Sequence, residues 1–320
     1  MPVTIQDIAI RVQLNASTVS RALRNDPRIR PNTKALIKQI AKELNYVPNL
    51  VARQLTTGKT GVVALCAGAL DYEYLTPVSL ALSQELEKHG DMLTVLPNTH
   101  GGERFIRTLE LLGQNFCDAA VLFSPRMQPD GLFELLQLQQ RRFPIVCIDQ
   151  WLANYPFPAV TNNAEESIRL LGEKMCHHDI TAALVYFPAE NTTSLSRRRA
   201  AMDFLRGKGI PFVTHLEKIP MLLKEHPNAR LGIFSDNPSQ AQIGGYLTEN
   251  PPACCIGGMF DSWKFDAPKF YNAIYLCIQD GFAHGLAAAK YILQMLEGQN
   301  DGIPPVTYIP PLEIIVPHLG

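Results

Sequence analysis

Residues 15–23, with the sequence NASTVSRAL, combine small polar side chains with one arginine near the amino terminus. Asn15 can cap a helix, and helical spacing places Val19, Ala22 and Leu23 on one face. The opposite face then carries Ala16, Ser17, Ser20, Arg21 and Arg24. Small side chains let a backbone approach base edges in the major groove, and an arginine can donate two hydrogen bonds to guanine. The stretch therefore indicates a DNA-reading helix, with an ordinary exposed helix as the alternative.

Two further short helices are predicted around this one. Thr4 and Asp7 have the spacing of a capping box, which starts a helix that runs to about Val12. Pro31 fits the first turn of a third helix. The apolar positions are Ile5, Ile8, Ala9 and Val12 in the first helix, and Leu36, Ile37, Ile40, Ala41 and Leu44 in the third. Three short helices, the first two joined by a tight turn, predict a helix-turn-helix domain.

Charge is distributed unevenly along the chain. Residues 1–60 contain ten Lys or Arg and three Asp or Glu, which gives +7, so the remaining 260 residues carry −8 of the overall −1. A basic segment ahead of an acidic body is typical of a module that binds a polyanion, joined to a separate domain. A solvated basic face is the other explanation of the same bias.

Composition describes an ordinary globular protein of two or three compact units, with 46% hydrophobic and 18% charged residues in a chain of 320. No apolar run reaches the ~18 residues of a membrane-spanning helix, and the start lacks the layout of an export signal. The seven cysteines contain no CxxC pair and mostly lie in apolar surroundings, as buried thiols in a reducing compartment do. We expect a cytoplasmic protein.

From Gly61 onward, apolar runs alternate with amphipathic stretches. The predicted strands are 62–67, 93–96, 119–123, 145–148, 182–187, 231–234 and 254–259, and the predicted helices are 77–90, 103–114, 129–142, 164–177, 198–208 and 281–297. This alternation predicts an α/β body of two doubly wound parallel sheets, with a ligand cleft between two lobes at the carboxyl ends of the strands.

Motifs for catalysis, metals and cofactors are missing from the sequence. No dinucleotide fingerprint, HExxH or GxSxG occurs. Gly58-Lys59-Thr60 lacks the first glycine of a phosphate-binding loop, because residue 53 is Arg. Residues 176–179, CHHD, could ligate a metal but have no second cluster, and we interpret them as a polar helix end. We expect no enzyme activity, no metal and no cofactor.

Three blocks of the amino-terminal sequence carry a specific resemblance: VTIQDIA at 3–9, STVSRAL at 17–23 and LNYVPNLVARQL at 44–55. In order and spacing they resemble the DNA-binding head of the lactose/galactose repressor (LacI/GalR) family of transcription regulators. The resemblance implies a recognition helix from about Ala16 to Arg24 that reads bases with Ala16, Ser17 and Arg21, while Thr18 contacts phosphates. It further implies a hinge helix at 49–55 that folds on operator DNA.

Within that hinge, the resemblance implies that Leu55 wedges into the minor groove and that Ala52 faces the partner subunit. Apolar wedges of this kind kink DNA by unstacking a base step. The residues assigned to DNA are Thr4, Asn15, Ala16, Ser17, Thr18, Ser20, Arg21, Asn49, Ala52, Arg53 and Leu55. Two positions depart from the family: Gln13 stands where a turn glycine is usual, which indicates an altered turn, and Arg30 replaces a capping serine.

The body resembles the periplasmic-binding-protein-like effector domain of the same family. The resemblance implies a ligand-binding set of Asp71, Tyr74, Asp149, Trp151, Arg197, Asp236, Asp261 and Trp263. Carboxylates, an arginine and aromatic rings are what polyol recognition needs. Each of the two tryptophans could equally be a core residue.

Departures in the body favour an unusual or degenerate cleft as an alternative. Ala200 and Ala201 replace a glycine and an aromatic residue of the family, and Ser235 replaces an asparagine. The stretch between Ile210 and Arg230 is short, as if a strand and part of a helix were missing. The terminal VPHLG also lacks the family's usual ending.

We therefore predict a helix-turn-helix domain at 1–47, a hinge helix and linker at 48–60 and a bilobed effector-binding and dimerisation domain at 61–320. The expected function is that of a dimeric transcription regulator, a repressor in the usual case, which binds a palindromic operator and is gated by a small ligand. A sugar is the ligand that the family implies. The alternative is a regulator that responds to a nucleobase or to no effector. A sugar-binding transport protein and an enzyme on the same fold are the competing classes, opposed by the helix-turn-helix segment and by the missing catalytic motifs.

Overall fold

The structure is a computed structural model that describes residues 3–23, 25–47, 58–68, 73–97, 102–124, 131–152, 155–249, 252–260 and 270–316. The chain divides into two compact units, Met1–Thr60 and Gly61–Gly320, called here the head and the body. Each is described separately below. Within the described residues, no helix is long and apolar enough to cross a membrane.

The head contains the three helices that the sequence predicts. They are α1 (Ile5–Val12), α2 (Ala16–Leu23) and α3 (Pro31–Glu43). Their shared core consists of Ile8, Ala9, Val19, Ala22, Ile37 and Ala41. Thr4 caps α1 through the expected capping box with Asp7, and Pro31 occupies the first turn of α3. Arg30, which precedes α3, makes no side-chain capping bond.

Two details of the head differ from the sequence interpretation. The turn after α1 keeps a left-handed conformation although glycine is absent, because Gln13 adopts φ 53° and ψ 41° and its amide N–H still closes the helix. An L-residue pays about 1 kcal/mol or more for this conformation. Leu36, which follows helical spacing, lies outside the core with 48% of its surface exposed, since its neighbour Ile37 takes the inward position.

The first lobe of the body, lobe 1, is built mainly from the amino-terminal half. Its elements are β1 (Val62–Ala67), α4 (Leu75–Lys88), β2 (Met92–Pro97), α5 (Glu103–Gly113), β3 (Ala119–Phe123), α6 (Leu132–Gln140), β4 (Ile145–Ile148), β5 (Ala159–Asn162), and later α11 (Gly281–Leu296) and β11 (Val306–Ile309). The six strands form one parallel sheet in the order β11-β5-β4-β3-β1-β2. Apolar clusters cover both faces of this sheet, which explains why its central strands are buried throughout.

The second lobe, lobe 2, repeats this plan. Its elements are α7 (Ala164–Cys176), β6 (Ala182–Tyr186), α8 (Thr192–Lys208), β7 (Phe212–Val213), α9 (Ile219–Glu225), β8 (Arg230–Asp236), α10 (Gln240–Glu249), β9 (Cys254–Phe260), β10 (Ala273–Gln279) and β12 (Pro311–Ile315). The strand order is β12-β10-β9-β8-β6-β7, with β12 antiparallel to β10 and the other pairs parallel.

The chain passes between the lobes three times. β5 of lobe 1 leads into α7, which packs on lobe 2, and β10 of lobe 2 leads into α11, which packs on lobe 1. Asn163 and Asp280 cap these two helices with their side chains. The third passage joins β11 to β12. Residues distant in sequence thus complete each lobe.

The stretch between Ile210 and Arg230 corrects one expectation. The strand that seemed to be missing is present as the two-residue β7, and the helix is the seven-residue α9. The structure also contains β5, α10, β10, β11 and β12, which the sequence did not predict.

None of the seven cysteines forms a disulfide, as expected. Five are buried, and Cys176 and Cys254 are half-buried. Burial raises the pKa of the Cys147 and Cys255 thiols to about 12 because the charged thiolate is poorly solvated there. The residues 176–179 end α7 as a polar terminus, where the His178 ring lies 2.7 Å from the Tyr275 hydroxyl.

Candidate nucleic-acid interface and ligand cleft

Helix α2 presents two contrasting faces. Val19 and Ala22 are fully buried in the head core, whereas Ser17 and Arg21 are exposed. Ala16 is half-buried and packs against the core, which limits how far it can reach outward. Ser17 and Arg21 lie one turn apart on the exposed face of a helix whose other face is buried, so they form a rigidly held polar surface.

Asp7 and Asp26, two of the three acidic groups in residues 1–60, form hydrogen bonds within the head. The Asp26 carboxylate accepts hydrogen bonds from the backbone N–H and the guanidinium of Arg28, the shortest at 2.6 Å. These bonds hold the pKa of Asp26 well below its usual range. The Thr4 hydroxyl caps α1 by accepting the backbone N–H of Asp7. The Asp7 carboxylate accepts the backbone N–H and the hydroxyl of Thr4, both at 2.8 Å, and these bonds lower the pKa of the Asp7 carboxyl. Both acids therefore stay charged but paired, and the head keeps its basic character.

Several predicted DNA contacts lie at or beside α2. Asn15 accepts the first backbone bonds of the helix, from Thr18 and Val19, through its main-chain oxygen. Thr18 and Ser20 are half-buried at its flanks. The hinge residues Asn49, Ala52, Arg53 and Leu55 lie outside the described residues, as does Arg24. Their roles remain predictions.

Asp149 lies at the carboxyl end of β4 and joins the two lobes. Its backbone is left-handed, with φ 73°. In lobe 1, its carboxylate accepts a hydrogen bond from Ser124 at 2.9 Å, and its main-chain oxygen accepts one from Thr161 at 2.6 Å. From α8 of lobe 2, the Thr193 hydroxyl donates to the same main-chain oxygen at 3.0 Å and lies 3.3 Å from the carboxylate.

A second contact between the lobes lies next to it. The Trp151 backbone N–H is 3.3 Å from the Thr192 hydroxyl, and the Trp151 side chain is half-buried against the apolar cluster of lobe 1. The ring therefore has a packing role alongside any role toward a ligand. The two contacts fix how the carboxyl end of β4 meets the first turn of α8.

Arg197 occupies the interior of lobe 2. Only 3% of its surface is exposed, and its guanidinium carbon lies 4.2 Å above the centre of the Phe260 ring. A buried cation over an aromatic face is an electrostatically favourable arrangement. It places the charged group beside the last residue of β9.

Asp236 ends β8 and is bonded mainly within its own lobe. Its carboxylate caps a short 3-10 turn by accepting the backbone N–H of Ser239 at 3.1 Å, and it also accepts the Ser239 hydroxyl. Beside it, the Gln240 amide donates to Ser235 at 2.7 Å and accepts the Tyr271 hydroxyl at 3.0 Å. The polar groups at this end of the sheet thus form two neighbouring buried sets of hydrogen bonds, Asp236 with Ser239 and Gln240 with Ser235 and Tyr271.

The other predicted ligand residues have different outcomes. Tyr74 is 5% exposed and packs in the lobe 1 core, with its ring 5.7 Å from Phe123 and 5.4 Å from His284, so the structure shows it as a packing residue. Asp71, Asp261 and Trp263 lie outside the described residues. The assignment of all four to a ligand remains a prediction.

Sequence reasoning missed the residues that hold Asp149. Ser124 follows the strand β3 directly, and this position at a strand end was the available signal. Thr192 and Thr193 gave no such signal, because they begin a helix whose start the sequence placed at Arg198.

Comparisons with known proteins agree with this architecture. The family model described as "Bacterial regulatory proteins, lacI family" matches residues 4–49. The "HTH-type transcriptional repressor PurR" of Edwardsiella ictaluri is 29% identical over 212 residues, which is 65% of this chain and 61% of that relative. The match thus spans less than two thirds of that relative's length.

Solved structures extend the likeness to nearly the whole chain. A lac repressor dimer bound to operator and the anti-inducer ONPF matches with a TM-score of 0.72 at 16% identity, over 98% of both chains. The transcriptional regulator CelR in complex with cellobiose matches with a TM-score of 0.63 at 16% identity, also over 98% of both. At these identities the likeness shows the fold.

The matched residues 4–49 contain the helix-turn-helix of the head, and two parallel-sheet lobes joined by three passages follow it. The amino-terminal domain, residues 4–49, belongs to the lacI family of bacterial regulatory proteins, and the chain as a whole shares the fold of the lac repressor.

Proposed function

We propose that this chain is a sequence-specific DNA-binding transcription regulator, a repressor in the first instance. The observation that carries the proposal is the outward face of α2, where Ser17 and Arg21 are exposed while Val19 and Ala22 anchor the helix in the core. A helix held rigidly by one face can enter a major groove with the other. The relative PurR is named a transcriptional repressor.

Two heads would act together on one site. In a two-fold dimer, the two α2 helices read inverted half-sites in successive major grooves, and the paired hinges around Leu55 kink the DNA between them. The lac repressor of the matching structure is a dimer bound to operator. The operator of this chain should accordingly be palindromic.

A small ligand in the cleft would control this binding. The contacts of Asp149 with Thr193 and of Trp151 with Thr192 join the lobes at the carboxyl end of β4. A ligand that binds one arrangement of the lobes more tightly than the other shifts their equilibrium by that difference in affinity. Cellobiose is bound to CelR in the other matching structure, which supports a sugar as the ligand.

A specific observation supports a second candidate, a regulator that responds to no sugar. The carboxylates of Asp149 and Asp236 both accept hydrogen bonds from neighbouring side chains. A sugar would have to replace or share these bonds, at a cost of about 1 kcal/mol or more for each one lost. A cleft filled by its own network would leave the DNA function intact without an effector.

The first experiment is a selection of random duplex DNA by the purified full-length protein at fixed salt, repeated with a panel of sugars and nucleobases. A palindromic site whose occupancy one compound changes supports the gated regulator. A palindrome that no compound affects supports the second candidate. Selection of no preferred sequence would refute the regulator itself.

Arg21→Ala tests the reading face. It should cost about 1–3 kcal/mol in discrimination at one symmetric base-pair position, because a bidentate contact to a base is lost. Arg28→Ala is the matched control: it removes one positive charge from the same head, at an arginine whose side chain is 73% exposed and paired with Asp26. The control should weaken all sequences alike. An unchanged site preference in Arg21→Ala would refute the role of Arg21.

Leu55→Ala tests the hinge. It should reduce specific operator binding far more than non-specific binding, since only the specific complex contains the kink. Equal losses on both kinds of DNA would exclude the wedge.

A further inference from the structure

A cavity of about 480 Å³ opens in lobe 1 at the amino-terminal ends of the neighbouring strands β4, β5 and β11. Its walls come from the connections that lead into these strands, within residues 139–145, 156–158 and 295–305. Asp149 follows the opposite end of β4. The four residues of that strand span roughly 13 Å, so the cavity is separate from the cleft.

The walls of the cavity are mostly apolar and conformationally restricted. The apolar side chains are Phe143, Ile145, Phe157, Met295 and Ile303. Prolines precede both β4 and β5 and also line the cavity, and proline fixes its own backbone dihedral φ. Ile145 and Phe157 are anchored in the apolar cluster of the lobe. The core of the lobe therefore holds two of the wall side chains in place.

One cationic side chain, that of Arg142, also lines the cavity. It is exposed, and no ion pair of its guanidinium occurs within the described ranges. The amides of Gln139 and Asn300 line the same cavity. An apolar cavity that is also lined by one guanidinium and two amides matches a ligand with an apolar body and one anionic end.

The backbone at Arg142 strengthens this interpretation. Its φ is 54°, and it directly follows the cap of α6, a position that glycine usually occupies. Its N–H bonds to Gln139 and that of Phe143 bonds to Leu138, as in a Schellman helix end. Arginine has no conformational advantage at such a position, and non-glycine residues in unfavourable backbone regions are often found at ligand sites.

We propose that this cavity binds an amphipathic organic anion, a monocarboxylate with an apolar chain or ring, whose carboxylate pairs with Arg142. The apolar body of the ligand lies against Phe143, Phe157 and Met295. A cavity of this volume is in the range of small-molecule sites. The site is distinct from the sugar cleft of the proposed function and does not depend on DNA binding.

Calorimetric titration of the full-length protein, without DNA, tests the proposal with octanoate as the probe. Octanoate should bind with one site per chain. Octanamide, which has the same chain without the charge, should bind at least tenfold more weakly, and octylammonium should not bind. Equal affinities for octanoate and octanamide, or no binding of octanoate at millimolar concentration, would overturn the proposal.

Arg142→Gly is the decisive variant because it removes the cation and relieves the left-handed backbone at once. It should weaken octanoate at least tenfold while the protein unfolds at the same or a higher temperature. Asp179→Gly is the matched control: Asp179 is also an exposed charged residue with a left-handed backbone, at φ 53°, and it does not line the cavity. The control should bind octanoate like the unaltered protein.

Ile303→Trp fills the cavity and should abolish the binding of octanoate without changing the circular dichroism spectrum. Binding that survives both Arg142→Gly and Ile303→Trp would place octanoate elsewhere and refute the site.

Discussion

The outward face of α2 and the cleft of the body are both polar, but their side chains lie in opposite surroundings. Ser17 and Arg21 of α2 are exposed to solvent. Asp236 and Arg197 of the body are 7% and 3% exposed, within a network or over a ring. A surface that binds DNA can be fully exposed to solvent beforehand, because the DNA supplies the opposing charge and a large contact area. A site for a small molecule must be organised beforehand by buried contacts.

The same contrast holds for the cores beneath them. In its described residues the head has one cluster of six buried apolar side chains, whereas each lobe of the body is covered by two larger clusters. A small core makes each of its members a larger part of the total stability. The recognition face therefore rests on few contacts and the cleft on many.

Among the variants that test this comparison, Ile37→Ala should lower stability the most. Ile37 is fully buried in the head, and its truncation should cost about 2–4 kcal/mol, enough to unfold the head and abolish operator binding. Calorimetry should show the loss of a head transition while that of the body remains. The neighbouring Leu36→Ala, at a position 48% exposed, is the control and should be nearly neutral. An equal loss in both transitions would show that the two units do not unfold independently.

Gly285→Ala is the corresponding test in the body. An added Cβ would lie 2.4 Å from the Val78 carbonyl oxygen, where α11 packs on α4, so the two helices must separate. We expect a loss of about 1–3 kcal/mol in the body transition and none in the head.

The control for Gly285→Ala is Gly245→Ala in α10, where no atom lies within 4 Å of the added carbon. It should raise stability by about 0.5–1 kcal/mol, because alanine favours a helix. If both alanines behaved alike, close packing between α4 and α11 would not be the reason for the glycine.

Thr193→Val should have an intermediate effect, confined to the cleft. The substitution removes the hydroxyl that donates a hydrogen bond to Asp149 from the other lobe. Loss of this bond should cost about 1 kcal/mol, which is about fivefold in the equilibrium constant between closed and open arrangements of the lobes. Small-angle scattering and the apparent affinity for an effector report that balance.

Thr161→Val is the matched control, because its hydroxyl donates to the same oxygen of Asp149 from within lobe 1. It should lower stability without opening the lobes. The same scattering change in both variants would rule out a specific link between the lobes at Thr193.

Gln13→Gly should have the smallest effect, on the head alone. Glycine adopts the left-handed turn after α1 without steric cost, so the head should gain about 0.5–1 kcal/mol, measured as a higher melting temperature of its transition. Asn45→Gly, at φ 52°, is a control with a smaller expected gain because asparagine tolerates this region better. No gain from Gln13→Gly would mean that the turn is not strained.

The sequence predicted the head better than the body because the head is specified by local signals. A capping box, a proline in the first turn of a helix and short apolar stripes gave α1 and α3 with their correct starting residues. Only the tertiary structure showed that Ile37, and not Leu36, is the buried residue of this pair. Buried strands with uniform apolar runs were equally clear, and β1, β3 and β4 have the predicted bounds.

The cleft was harder to predict because its contacts join segments far apart in the chain. Thr193 meets Asp149 only because α8 and β4 belong to lobes that face each other, and no spacing rule connects the two positions. The family resemblance pointed to Asp236 as a ligand residue, but its bond to Ser239 depends on a short turn that the sequence did not predict. The strands that the sequence did not predict, such as the edge strand β11, likewise depend on pairing with strands that are distant in the chain.

The three passages between the lobes have a consequence for the order of events during synthesis. The sheet of lobe 1 is completed only when β11 pairs with β5, and nearly all of lobe 2 lies between them in the chain. A ribosome must therefore finish almost the whole protein before the first lobe can close, although the head can fold as soon as its three helices emerge. Contacts of such long range slow folding and leave sheet edges exposed in the meantime. The nascent body should be the stage at which chaperones matter most.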